Sequence, residues 1–381
     1  MNYIEGKRMK KIGIMSMQRI ANYGSFLQAY ALKQLIEELD CKVEFVDYHV
    51  GAPVITENAD SKNKFVRKIE KGLETFRYQA PFAHKLSFIR YKQSFAKKYM
   101  PLLGITDEMN YNPTLDCLVI GSDEVFNCVQ KNSNVGYSLE LFGKDNHAKR
   151  LITYAASFGN TTLDKLRHYG KADEVGSYLK QFDALSVRDK NSGRVVEALS
   201  GKEIIYHLDP VLAYDYMHEC NQIPNLEKQE KYLIVYAYSG RISEDESKWI
   251  KEYAKKKGLK VYAIGGIQSC ADKFIDCSPF EVLAYFKNAD EVITDTFHGS
   301  IFSVITECKF TTLVRKSVGN SYGNEEKLTD LLERLGLSSR ITYDVKNAEK
   351  INQIEIDYSA VGKILAEQRK RTKKYLEEQL E

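Results

Sequence analysis

Short apolar runs alternate with longer amphipathic runs along most of the chain, and this pattern predicts strands that are each followed by a helix. Residues 12–15 form an apolar run typical of a buried strand, and residues 25–39 follow with apolar side chains at helical spacing. Repetition of this unit is typical of α/β proteins with parallel sheets. Further strands are predicted in the first half at residues 43–48, 117–120, 152–155, 184–187 and 204–206.

The same alternation resumes after a polar, linker-like stretch at residues 221–231. Strands are predicted at 233–236, 261–264, 291–293 and 311–314, with helices at 244–257, 279–287 and 325–335. We therefore expect two Rossmann-like domains that face each other across a cleft. The predicted boundaries are 9–222 and 230–345, with a charged helix over 357–381 packing back on the first domain.

Bulk composition excludes several classes of protein. The formal net charge is only +3, so nothing in the overall balance indicates nucleic acid as the partner. The seven cysteines are scattered without a CxxC pair, which favours reduced thiols in a cytosol over a disulfide framework or a zinc site. The N-terminus is polar, and no run approaches the ~18–20 apolar residues that cross a bilayer. A cytoplasmic protein is expected.

One segment breaks the alternation and is predicted to be a helical insertion over residues 62–100. Residues 62–98 contain eleven Lys or Arg against two acidic residues, Glu70 and Glu74, with seven aromatic residues interleaved. One interpretation is a pair of basic helices with a solvated face. Another is an amphipathic surface that contacts anionic lipid headgroups at the inner face of the cell membrane. Nucleic-acid binding ranks third, because the charge is confined to this insertion.

The most informative motif is residues 294–300, TDTFHGS, where a predicted strand turns into a predicted helix. Such a corner places an imidazole, that of His298, beside backbone N–H groups that can hold an anion. The alternative interpretation of His298 is a helix-capping or core histidine.

Several motifs taken together resemble the polysaccharide pyruvyltransferase family, in family order and over most of the chain. They are residues 21–30 (ANYGSFLQAY), 121–127 (GSDEVFN), 186–189 (SVRD), 208–211 (LDPV), 294–300 (TDTFHGS) and 331–337 (LLERLGL). The resemblance implies a GT-B-like fold. It also implies transfer of pyruvate from phosphoenolpyruvate to sugar hydroxyls as a ketal, on a sugar or lipid-linked oligosaccharide, without a cofactor or metal.

The resemblance also implies roles for residues on the donor side. His298 is the predicted acid/base group, and the N–H groups of Gly299 and Ser300 are predicted to face the anionic donor. Arg188 follows a predicted strand, so its planar fork emerges where ligands gather in open α/β sheets. The alternative for Arg188 is an ion pair with Asp189 or another surface acid.

The chain departs from some family members on the donor side. Several members carry an arginine two residues before the histidine, where this chain has Thr296. Arg315 and Lys316, just after a predicted strand, are candidates to replace it in binding the donor. Lys327 stands where members often carry an arginine before the last motif.

Acceptor-side residues are expected on the first domain. Asn22, Tyr23 and Gly24 form the first strand-to-helix turn, although a glycine there is often a plain turn residue. Ser122 and Asp123 follow another predicted strand, and Asp123 either orients a sugar hydroxyl or caps the next segment.

Two neighbouring positions differ from the common family residues. Phe126 replaces a frequent tryptophan and is predicted to give an aromatic platform for a sugar ring. Glu124 replaces a frequent glutamine and indicates a different acceptor.

Two other functions fit the same sequence pattern. A two-domain GT-B-like fold equally serves a glycosyltransferase with a nucleotide-sugar donor. Thr296 in place of arginine also leaves open a non-catalytic glycan-assembly protein with this fold.

Overall fold

The chain forms two six-stranded parallel sheets, each flanked by helices. The computed structural model describes residues 9–54, 75–130, 132, 134–316 and 324–381. The predicted α/β class with two Rossmann-like units is confirmed. All ten predicted strands are present. Two short edge strands, at residues 273–274 and 341–342, were not predicted.

The first sheet has the strand order β2-β1-β3-β4-β5-β6, with every neighbouring pair parallel. Its central strands carry almost only buried residues, as expected for a sheet covered by helices on both faces. Its strands are β1 (Lys11–Met15), β2 (Lys42–Phe45), β3 (Cys117–Asp123), β4 (Leu151–Ala156), β5 (Ser186–Val187) and β6 (Ile205–Tyr206).

The second sheet has the order β12-β11-β10-β7-β8-β9, again with parallel pairing throughout. Strands β7 and β10 are adjacent in the middle of the sheet, so their carboxyl ends lie side by side. The strands are β7 (Tyr232–Tyr236), β8 (Lys260–Ile264), β9 (Lys273–Phe274), β10 (Glu291–Thr294), β11 (Phe310–Leu313) and β12 (Ile341–Thr342).

Helices fill the connections between strands, and four short 3₁₀ helices lie at Met100–Leu103, Leu139–Phe142, Ser338–Arg340 and Val345–Asn347. The α-helices of the first half are α1 (Tyr23–Glu37), α2 (Phe82–Tyr99), α3 (Leu163–His168), α4 (Ala172–Leu179), α5 (Lys190–Ser200), α6 (Pro210–Ala213) and α7 (Tyr216–Glu219). Those of the second half are α8 (Glu244–Lys257), α9 (Pro279–Asn288), α10 (Phe297–Ile305), α11 (Glu325–Arg334), α12 (Ala348–Ile351) and α13 (Tyr358–Leu380).

The largest hydrophobic core is shared by both units, because helix α1 of the first packs on helix α9 of the second. The ring of Phe280 lies edge-on to Phe26 and Tyr30, at centroid distances of 5.8 and 5.0 Å. This core includes buried residues from the first sheet and from the second. The packing brings the start of α1 against the start of α10, where the candidate site lies.

The basic and aromatic segment is only partly described, because residues 62–74 lie outside the described residues. In helix α2 the aromatic side chains of Tyr91 and Phe95 are buried, and Phe88 lies edge-on to Phe274 of the second unit at 5.7 Å. These rings therefore pack inside the protein and do not form a membrane-facing surface. Contact of the segment over residues 62–98 with a membrane stays a prediction.

The terminal helix α13 lies against the first sheet. Tyr375 donates a hydrogen bond to the carbonyl of Thr153 at 2.8 Å, and the hydroxyls of Thr372 and Tyr154 are 3.0 Å apart. Among the described residues, no helix combines the length and the apolar character needed to span a membrane.

Candidate active site

The corner between β10 and α10 presents His298 at the junction of the two units. Thr296 caps the helix, with its hydroxyl accepting a hydrogen bond from the Gly299 N–H at 2.9 Å. The cap fixes the first turn, so that the imidazole points toward helix α1. A Cβ atom added to Gly24 would lie 2.3 Å from His298 Nδ1, so only glycine allows this approach.

The imidazole of His298 is largely buried, with 14% of its side chain exposed. Its Nε2 atom has no hydrogen-bond partner among the described residues and lies 3.8 Å from Asp209 Oδ2. Burial lowers the pKa of His298, and the nearby carboxylate of Asp209 opposes that shift. The ring is therefore neutral near neutral pH, and its Nε2 atom is buried without a hydrogen-bond partner among the described residues.

Arg188 emerges from the end of β5 into a buried network of charges. Its guanidinium donates to Asp209 at 2.8 Å and to Asp123 at 3.2 Å, and it stacks over the ring of Phe297 at 4.6 Å. Burial disfavours the charged form, but the two carboxylates outweigh this effect and raise the pKa of Arg188. Arg188 is therefore ion-paired, but with the buried Asp209 and the partly buried Asp123 and not with Asp189 or a surface acid.

Asp123 connects this network to helix α1. It is the last residue of β3, has a left-handed φ of 73°, and accepts a hydrogen bond from the Ser25 hydroxyl at 3.1 Å. Asn22 caps α1 by accepting a hydrogen bond from the Ser25 N–H at 2.8 Å. The first unit therefore meets His298 through a turn whose polar side chains are held in place.

The second unit contributes its own charged side chains beside His298. Asp295 is buried, and its Oδ2 atom lies 2.9 Å from Arg241 Nε in a contact without hydrogen-bond alignment. Burial raises the pKa of Asp295, opposed by the charges of Arg241 and Arg315. Lys327 of α11 donates to Glu124 of the first unit at 3.0 Å, and so links the two sides.

These side chains surround a cavity of about 380 Å³, a size suited to a small molecule. Both units contribute to its walls, so the cavity depends on their packing. The lining includes the cations Lys92, Arg188, Arg241 and Lys327, the carboxylates Asp123, Glu124 and Asp295, and His298, Asn22, Gly24, Tyr236 and Tyr238.

Residues 22–317 match the family described as polysaccharide pyruvyl transferase, about three quarters of the chain. The chain belongs to this family. The predicted resemblance is therefore confirmed, and the protein is a transferase of polysaccharide biosynthesis by family. None of the curated proteins matches the chain significantly in sequence.

Solved structures share the fold only distantly. An O-GlcNAc transferase mutant from Thermobaculum terrenum is 12% identical at a TM-score of 0.41, and the match covers 97% of this chain but 64% of that one. The UDP-GlcNAc 2-epimerase of Methanocaldococcus jannaschii is 10% identical at a TM-score of 0.46, and the match covers 92% of this chain and 93% of that one. The glycotransferase of kitacinnamycin is 11% identical at a TM-score of 0.47, and the match covers 98% of this chain and 100% of that one. Likenesses this distant carry no argument about function.

Three predicted acceptor residues of this family member are core residues, and their assignment is corrected. Phe126 is fully buried and stacks on Phe142 at 4.7 Å, so it cannot be a platform for a sugar. Tyr23 is fully buried and donates to the carbonyl of Cys277, and Ser122 donates to the carbonyl of Ala155. Asn22, Gly24 and Asp123 do line the cavity.

The predicted donor residues beyond His298 also need correction. The N–H groups of Gly299 and Ser300 are bonded to the hydroxyl and the carbonyl of Thr296, so neither is available to an anion. Arg315 is held by both carboxylate oxygens of Glu246, at 2.6 and 3.0 Å. Lys316 lies over the ring of Tyr343 at 5.1 Å, and neither cation lines the cavity.

Sequence reasoning missed Asp209, Asp295 and Arg241 as site residues. Asp209 and Asp295 lie within motifs that were recognised, but no role followed from them. Arg241 lies a few residues after the carboxyl end of β7, which is the neighbour of β10. The adjacency of these two strands was the missing information, because ligands gather at the carboxyl ends of neighbouring strands.

Proposed function

We propose that this protein transfers pyruvate from phosphoenolpyruvate to two hydroxyls of a sugar acceptor, forming a cyclic ketal and releasing phosphate. The observation that carries the proposal is His298 Nε2, without a hydrogen-bond partner among the described residues, in a cavity lined by four cations. Phosphoenolpyruvate requires both features. Its phosphate and carboxylate need cations, and its methylene carbon needs a proton donor.

His298 can perform both proton transfers. As imidazolium it donates a proton to the methylene carbon, while a sugar oxygen forms a bond to the central carbon. The neutral ring then accepts the proton of that hydroxyl, which restores the imidazolium. A second hydroxyl of the sugar then attacks the same carbon, the bond to phosphate breaks, and the proton of this hydroxyl leaves with the phosphate. The negative charge of the bound donor raises the pKa of His298 and favours the imidazolium that starts the cycle.

Arg241 and Lys327 are the proposed partners of the donor's two anionic groups. Their side chains are 26% and 23% exposed and line the cavity, Arg241 beside Asp295 and Lys327 beside Glu124. Arg188 is only 4% exposed and holds two carboxylates, which suits a positioning role. It keeps Asp209 beside His298, where the carboxylate favours the imidazolium. In this proposal Arg241 supplies the charge that other family members place two residues before the histidine.

The test is acceptor-dependent release of phosphate. Purified protein is incubated with phosphoenolpyruvate and a panel of p-nitrophenyl hexosides, and phosphate and product mass are measured. Phosphate released only with an acceptor, together with a product heavier by a pyruvyl ketal, supports the proposal. Release of a nucleoside diphosphate from nucleotide sugars, without phosphate from phosphoenolpyruvate, would instead support a glycosyltransferase. The His298→Ala variant gives the background for both reactions.

A further inference from the structure

Helix α2 packs with one face inside the protein and turns the opposite, outer face to solvent. Tyr91 and Phe95 are buried on the inner face. On the outer face Phe82 is 66% exposed, and Leu86, one helical turn later, is 37% exposed. The ring of Phe76, 44% exposed, lies against Phe82 at a centroid distance of 6.1 Å. These three apolar side chains form one exposed cluster, whereas exposed apolar residues are normally scattered singly.

Exposed cations continue the outer face of α2 beyond the apolar cluster. Arg90 follows Leu86 by one turn, and Lys97 follows two turns after Arg90, so that both lie on this face. Arg77, next to Phe76 in the chain, is exposed as well. Among the described residues, none of these three cations forms an ion pair or a side-chain hydrogen bond. Their charge is therefore available to a binding partner.

Carboxylates do not offset this charge on the outer face. Helix α2 contains no acidic residue. The carboxylates of Asp272 and Asp276 interact electrostatically with His84 and Lys98. Both of these residues lie two turns from Tyr91, and therefore on its inner face. The outer face thus combines an apolar cluster with unpaired cations, which complements a surface that is anionic outside and apolar beneath.

We infer that the outer face of α2 docks on a membrane surface that contains anionic lipids. The apolar cluster enters the boundary between headgroups and acyl chains, and the three cations contact the headgroup phosphates. Peptide partners are usually held in grooves or along sheet edges. Phe76, Phe82 and Leu86 line neither the candidate active site nor the cavities of about 1000 and 570 Å³ beside it. Side chains that project from the surface suit a fluid bilayer, which adapts around them.

Docking through α2 would hold the candidate active site next to the membrane. Lys92 belongs to the same helix and lines the active-site cavity. The inference concerns a surface outside that cavity and does not depend on the proposed chemistry. Its test measures binding to lipid alone, so a negative result would leave the proposed transfer reaction unaffected.

Co-sedimentation of the full chain with lipid vesicles tests the inference. The vesicles contain phosphatidylcholine alone or phosphatidylcholine with phosphatidylglycerol, and each kind is used at low and at high salt. We expect the partition coefficient at low salt to be about tenfold higher or more on the anionic vesicles. It should fall to the neutral value at about 1 M salt, where the Debye length is about 3 Å. Absence of sedimentation with anionic vesicles at low salt would overturn the inference and favour an acidic protein as the partner.

Two double variants assign the contact to α2. Phe82→Ser with Leu86→Ser removes most of the apolar cluster, and Arg90→Glu with Lys97→Glu reverses two of the cations. Each double variant should lower the partition coefficient on anionic vesicles at low salt by about tenfold or more. All four side chains are exposed, so circular dichroism should show an unchanged fold. Wild-type sedimentation of both double variants would place the contact elsewhere and overturn the assignment to this face.

Matched controls change exposed side chains elsewhere on the protein. Lys251→Glu with Lys255→Glu makes the same change in charge on helix α8, at two exposed positions. Tyr169→Ser with Ile354→Ser removes two other exposed apolar side chains. Both control proteins should sediment like the wild type. An equal loss of binding in the controls and in the α2 variants would show that adsorption is not specific to the outer face of α2, and would contradict the inference.

Discussion

At the scale of single residues, the site is organised around one imidazole and the charges that surround it. His298 combines a buried ring, a nitrogen without a hydrogen-bond partner among the described residues, and a carboxylate at 3.8 Å. A core histidine would be expected to have both nitrogens satisfied, as buried polar groups generally are. The unpaired nitrogen, on a residue that lines the cavity, therefore favours the acid/base interpretation over the capping or core interpretation.

Replacing His298 should abolish most of the activity without unfolding the protein. We expect His298→Ala to lower kcat by about 10²–10⁴-fold, the usual contribution of a positioned acid/base group. The side chain borders a cavity, so truncation leaves little new empty space in the core. Phosphate release under saturating substrates measures the effect, and circular dichroism checks the fold. A wild-type kcat in this variant would contradict the assigned role.

Arg241 should matter most for binding of the donor. Arg241→Ala is expected to raise the KM for phosphoenolpyruvate by about tenfold or more, because a charge-assisted hydrogen bond is worth roughly 1.5–3 kcal/mol. Arg241→Lys should recover only part of the loss, since a point charge cannot form a bidentate contact. Arg167→Ala is the matched control, because that arginine is exposed and does not line the cavity. Equal KM values in Arg241→Ala and wild type would exclude Arg241 as a donor ligand.

At the scale of secondary-structure elements, the ends of strands supply the site and the terminal helix encloses a buried histidine. His207 follows β6, and its ring lies between Tyr154 of β4 and Tyr375 of α13, at centroid distances of 5.4 and 4.7 Å. Its Nδ1 atom lies 2.7 Å from the Ser186 hydroxyl. Burial, assisted by the charge of Arg371, lowers the pKa of His207 to about 4.

This shift predicts a loss of stability on the acid side of neutrality. The unfolded chain takes up the proton near pH 6.5, before the folded protein does, so the contribution is complete above that pH and is lost as the pH falls toward 4. Linkage gives a loss of about 2 kcal/mol at pH 5. Urea unfolding at pH 7 and pH 5 measures it. His207→Gln should show a weaker dependence on pH, and an unchanged dependence would contradict the assignment.

At the scale of the whole molecule, the two units share a core and should unfold together. The only tryptophan, Trp249 on helix α8, reports on the second unit, while far-ultraviolet circular dichroism reports on both. We expect the two signals to coincide during unfolding in urea, as in a two-state transition. Phe280→Ala should destabilise the protein by about 3–5 kcal/mol. Two separated transitions in the wild-type protein would show that the shared core does not couple the units.

The sequence by itself determined the elements and the local chemistry of this protein. Apolar runs predicted ten strands, since parallel strands covered on both faces must be apolar along their length. The motif around His298 was recognisable because a helix N-terminus depends on neighbouring residues, as the capping of α10 by Thr296 illustrates.

Only the tertiary structure decided which polar residues meet. Phe126 lies within a recognised motif, yet it is a core residue, because its exposure depends on Phe142 and Phe158, which are distant in sequence. Arg241 lines the cavity and Arg315 does not, although both follow strands of the same sheet. The difference arises from Glu246, which holds Arg315 from helix α8, and from Asp295, which lies against Arg241. Local pattern cannot resolve such choices, because they depend on the distances between elements remote in sequence.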